Sequence, residues 1–139
     1  MTYSYALTDR PQAADAVHGF LQSFPVSCFT LTLVTDLAYM RTLNLLWLHF
    51  SEWLLLAGLV FGGLALLARA IDYLVRRIRP AWLAVFGSVV VLLLAILNSL
   101  IHTADGWTAV VPYGLTLSIL TVLAMVFTGW LARKGAYHV

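Results

Sequence analysis

The chemistry-bearing side chains of this sequence stand inside apolar runs, where they are expensive. Asp36, His49, Glu52, Asn98 and His102 are the clearest cases. An ionisable group buried in lipid costs at least a few kcal/mol, so its presence points to a role. His49 and Glu52 are spaced i, i+3 and share one helical face. Asn98 and His102 are spaced i, i+4 on another, with Ala95 below and Asp105 a turn beyond. Cys28, Thr32, Thr35, Asp36 and Tyr39 form a third stripe, and Ser118, Thr121 and Thr128 a fourth.

Depth brings these faces together. His49 lies 27 residues before Arg76 and His102 lies 26 after it. At equal rise per residue, two helices joined by a hairpin at the arginines carry both imidazoles to nearly the same height. Glu52 falls one turn deeper, about 5 Å. Asp36, Asp105 and the indoles of Trp47, Trp53 and Trp107 belong to the same level.

Several chemistries fit such a cluster. Two level imidazoles, His49 and His102, are the usual ligands of a b-type haem iron held between helices. In a quinone site, His49 or His102 with Glu52 or Asp36 would bond the carbonyl oxygens, with Asn98 and Trp107 lining the pocket. A buried Glu52 could instead couple a proton to transport. His49-x-x-Glu52 with His102 and Asp105 could form a mixed nitrogen and oxygen metal shell. The plainest alternative is an interfacial belt of tryptophans and histidines with solvated acids at the helix ends.

The elements that must position these groups follow from composition. Of 139 residues, 62% are hydrophobic and 10% are charged, against about a quarter charged in ordinary soluble chains. With one cysteine, Cys28, the chain builds no internal disulfide and no iron–sulfur cluster by itself. A net charge of +2 gives no argument for nucleic acid. Gly19–Thr35, Thr42–Ala68 (broken only by Glu52), Ala81–Ile101 and Val110–Ala132 are free of charged residues. About 20 apolar residues cross the hydrocarbon. The sequence therefore predicts an all-α, single-domain, up-and-down bundle of four membrane helices over roughly 20–40, 43–70, 81–102 and 110–132.

Ser23-Phe24-Pro25 reads as a cap with proline in the first turn of helix one, and Pro80 and Pro112 would open helices three and four. Residues 1–18 are polar without a basic leader region, so helix one reads as an uncleaved anchor. Arg69, Arg76, Arg77 and Arg79 surround the second connection, and Arg133 and Lys134 the carboxyl tail. The positive-inside rule then places both termini and the arginine-rich connection on the cytoplasmic side. Gly58-x-x-x-Gly62 with Ala65 is the small-residue spacing of a close helix seam, through which the chain would meet a second copy or an oxidoreductase partner. Arg69 and Asp72, at i, i+3, read as an ion pair ending helix two. His18 and His138 fall outside the spans and are assigned no role.

Phe24-Pro25 opening helix one, Asp36 closing it, the glycine-rich second helix ending in Ile71-Asp72, and Ser118 early in helix four resemble one family. It is a group of bacterial inner-membrane proteins defined by domain of unknown function 2231. The stretch His102-Thr-Ala-Asp-Gly-Trp-Thr-Ala-Val-Val-Pro112 resembles the outer loop of one of its branches. The resemblance covers nearly the whole chain and implies a four-helix membrane domain, in a family whose relatives resemble companions of membrane oxidoreductases. The family has no established activity, but those relatives add weight to the redox reading, in which the chain is a small redox or anchor subunit with haem or quinone as cofactor. Many members carry a histidine directly before the Phe-Pro pair. Ser23 stands there in this chain, so no ligand role carries over to that position.

Overall fold

The computed structural model describes residues 11–76, 81–104 and 110–136. Four helices account for nearly all of them: α1 (Pro11–Thr42), α2 (Leu45–Arg76), α3 (Trp82–Thr103) and α4 (Leu115–Ala136). Each contains a stretch long and apolar enough to cross a membrane: Ala16–Thr42, Leu45–Val75, Trp82–Thr103 and Val110–Lys134, the last beginning just ahead of α4. The four-helix reading is thus what the chain adopts. α1 packs on α2, α2 on α3, α3 on α4, and α4 closes back on α1. Large apolar side chains such as Trp53, Leu74, Phe86 and Val126 point outward, as lipid-facing residues do.

Helix one begins well before the expected position. Pro25 lies inside α1 and does not open it. The Ser23 hydroxyl turns back onto the Phe20 carbonyl at 2.8 Å, so it does not cap a helix start. The run from Ala13 onward supplies enough helix-compatible residues to extend the helix past the proline, which removes one donor without ending it. Pro25 is buried, and it faces Gly62 of α2.

The α1–α2 connection is only two residues. Leu43 takes a left-handed conformation (φ 52°) and donates its N–H to the Tyr39 carbonyl at 2.8 Å, closing the end of α1. Asn44 opens α2, its Oδ1 accepting the Leu46 N–H at 3.0 Å. At this end of the bundle, called here the Asn44 end, the chain kinks at Val111, which is extended (φ −120°, ψ 113°), as the residue ahead of a proline prefers. Helical backbone resumes at Pro112, which opens the last helix as expected, and continues into α4 at Leu115. Pro80 lies outside the described residues.

The glycine seam is used within the chain. A Cβ on Gly58 would run into the Phe29 ring of α1, and one on Gly62 would stand 2.6 Å from Leu92 Cδ2 of α3. Phe24 and Phe61 stack beside them at 4.2 Å between centroids. The Gly58/Gly62 face is therefore not open to a second copy or an oxidoreductase partner. Apolar side chains gain little by leaving lipid for a protein interior, so close backbone approach and polar contacts must hold the helices together.

Candidate functional site

Asp36 is the centre of a buried polar cluster drawn from all four helices. Asp36, Ser51 and Asn98 have no exposed surface, and His102, Ser118 and Thr121 have almost none. Ser51 Oγ donates to Asp36 Oδ1 at 2.5 Å, and Ser118 Oγ donates to Oδ2 at 2.5 Å. His102 Nε2 stands 2.9 Å from Oδ1. Asn98 Nδ2 donates to Ser118 Oγ at 2.7 Å. Thr35 Oγ1 is 2.7 Å from Ser51 Oγ; since Ser51 gives its hydrogen to Asp36, Thr35 donates here.

Helical spacing explains why these side chains meet. Asn98 and His102 are one turn apart, and both are buried on the inner face of α3. His102 Nδ1 lies 2.9 Å from the Asn98 carbonyl, which fixes the ring. Gly114 makes room beside it: a Cβ there would come within 2.9 Å of His102 Cε1. Tyr39, Leu48 and Val110 close the site toward the Asn44 end, and Phe29, Leu55, Val91 and Ala95 close it from the other side.

The donor inventory adds a chemical conclusion. A carbonyl oxygen only accepts, so His102 Nδ1 carries a hydrogen. Nε2 then faces a carboxyl oxygen, and two lone pairs in contact would repel. One hydrogen must lie between them, on imidazolium beside carboxylate or on carboxyl beside imidazole. Either form is neutral as a pair, which is what a dry site tolerates. Asn98 Oδ1 is a buried acceptor with no partner among the described residues. The cluster can hold a proton and pass it between two atoms.

The structure brings together three of the sequence candidates, Asp36, Asn98 and His102, and separates two. His49 is largely exposed, its side chain at 63%, and Nδ1 contacts Glu52 Oε2 at 3.2 Å. Glu52 is itself 29% exposed. Trp107 and Asp105 lie outside the described residues. The arrangement does not fit a haem held by His49 and His102, because both His102 nitrogens are engaged by protein oxygens while His49 faces outward. Nor does it fit a quinone between Asp36 and His102, which bond each other directly. Among the described residues no group of three or more His, Cys, Asp or Glu side chains could hold a metal ion.

Ser51 was the partner least visible in the sequence. It stands next to Glu52, about 100° around the helix, so the two cannot both point straight at the core, and Ser51 takes the inward position. Its signal was a small hydroxyl one position from a charged residue. Away from the site, Asp72 pairs with His18 of α1 at 2.8 Å, where Arg69 was expected. His18, expected outside the spans, lies within α1.

Fold and site define a class: a four-span membrane protein with a buried carboxyl–imidazole centre. The chain belongs to the family of predicted membrane proteins designated DUF2231, whose model matches residues 14–139. No curated protein and no solved structure matches it.

Proposed function

We propose that the protein is a proton-handling membrane subunit, in which Asp36 and His102 form one proton-binding centre. The observation that carries this is the contact of His102 Nε2 with Asp36 Oδ1 while Nδ1 is held by a main-chain carbonyl. A buried acid–base pair in a membrane span is costly to maintain, and ionisable residues in such positions mark proton relays. With the arginine-rich connection facing the cytoplasm of a bacterial inner membrane, the pair lies toward the outer face.

Infrared difference spectroscopy on protein with isotope-labelled aspartate tests it. Between acid and alkaline buffer, the Asp36 carboxyl band and the imidazole ring bands should change together. Asp36→Asn should abolish both changes and slow proton uptake into liposomes. A wild-type spectrum invariant with pH overturns the reading. The contact of the network with all four helices favours a second one, a polar clamp whose work is to fix their packing.

A further inference from the structure

Away from the Asp36 site, toward the end of the bundle that carries Arg69, the four helices surround a cavity of about 140 Å³. Its walls are mainly apolar. Phe29 and Met125 stand at its deep end, and Arg69 and Gln22 at its rim. From Gly62 to Arg69 the α2 wall runs seven residues, about 10 Å. An apolar cavity of about this size stays dry and takes a benzene-sized group. Small side chains open it: Gly62, Ala65, Ala84, Gly129 and Ala132 all contribute to the wall.

Arg69 is what gives the cavity a chemical preference. It lies inside a membrane span, and the acid expected to neutralise it, Asp72, is paired with His18. Among the described residues no hydrogen bond or ion pair engages its guanidinium. An uncompensated guanidinium at the mouth of an apolar cavity complements an anion with an apolar tail. A guanidinium also matches phosphate geometry with two parallel donors. The surroundings are lipid, and basic residues near a membrane surface attract its anionic headgroups.

We propose that this cavity binds an anionic phospholipid, with part of one acyl chain between the helices and the phosphate on Arg69. The site is separate from the Asp36–His102 centre and does not depend on its role.

Native mass spectrometry of the full chain in non-ionic detergent, titrated with phosphatidylglycerol or phosphatidylcholine, tests it. One phosphatidylglycerol should be retained in preference to phosphatidylcholine. Arg69→Gln should remove that preference. Gly129→Leu should fill the cavity and weaken retention by about tenfold; a Cβ at Gly129 meets no atom within 4 Å, so the helix accommodates it. Ala132→Leu, at another point of the wall, repeats the test independently. Equal retention of the two lipids by the wild type overturns the proposal. So does loss in the Arg69 variant alone, which would mean a headgroup contact without the cavity. Loss in the cavity-filling variants alone would mean that Arg69 does not select the lipid, and overturns it equally.

Discussion

His102 Nε2 of α3 lies 2.9 Å from Asp36 Oδ1 of α1, across 66 residues of sequence, with neither side chain exposed at all. Two consequences follow from that sealing. Water cannot compensate either group if its partner is removed. The two groups also cannot be treated independently, since they hold one proton between them.

Asp36→Asn and His102→Leu should each lower stability by about 3–5 kcal/mol, the usual cost of leaving one member of a buried pair unmatched. The double substitution Asp36→Leu with His102→Leu should cost less than the sum of the corresponding single changes, because neither member of the pair is left buried without the other and only the Ser51 and Ser118 hydroxyls lose their acceptor. Thermal unfolding of the wild type, Asp36→Leu, His102→Leu and the double variant in one detergent measures the coupling. Simple additivity would show that the contact contributes nothing as a pair.

Ser118→Ala should cost about 2 kcal/mol through a different route. It removes a donor from Asp36 Oδ2 and an acceptor from Asn98 Nδ2 at once. Asn98 already has one unpartnered atom, Oδ1, and would then have two. Asn98→Leu in the Ser118→Ala background should therefore restore part of the loss. Unfolding measurements on the single and double variants check the sign.

Much of this was legible in the sequence, for identifiable reasons. Charge-free runs of sufficient length define four spans whatever their packing, and the structure has four. Asp36, Asn98 and His102 stood out because each is polar at a position that lipid penalises. Their grouping was less visible, because equal height along a helix says nothing of rotation about it. Equal rise along the helices would set His49 level with His102, yet one faces outward and the other the core. Glu52 drew notice through its charge while Ser51 made the buried contact. Pro25 misled in a further way. A proline suits a first turn, but a long membrane helix can also run through one.

Glu52→Gln should therefore change stability little, within about 0.5 kcal/mol, since its contact with His49 is exposed and such pairs contribute little. Ser51→Val, one residue away, should cost about 1–3 kcal/mol by removing a donor to Asp36 and an acceptor for Thr35. Melting curves for the two variants compare them directly. A larger effect at Glu52 than at Ser51 would place the important polar group on the wrong face.

The glycines of α2 yield a prediction about association as well as stability. Gly58→Ala would press a methyl group into the Phe29 ring and should cost about 1–3 kcal/mol through overpacking. Gly63, five residues on, has nothing within 4 Å of an added Cβ. Gly63→Ala should be neutral or stabilise by up to about 1 kcal/mol from helix propensity. Because Phe29 belongs to the same chain, Phe29→Leu should relieve the Gly58→Ala defect without any change in mass. Unfolding and light scattering on the same samples separate the alternatives. Destabilisation accompanied by loss of an oligomer would show that the Gly58 face also meets another copy. Destabilisation at constant mass, rescued at Phe29, keeps the seam inside the four-helix bundle.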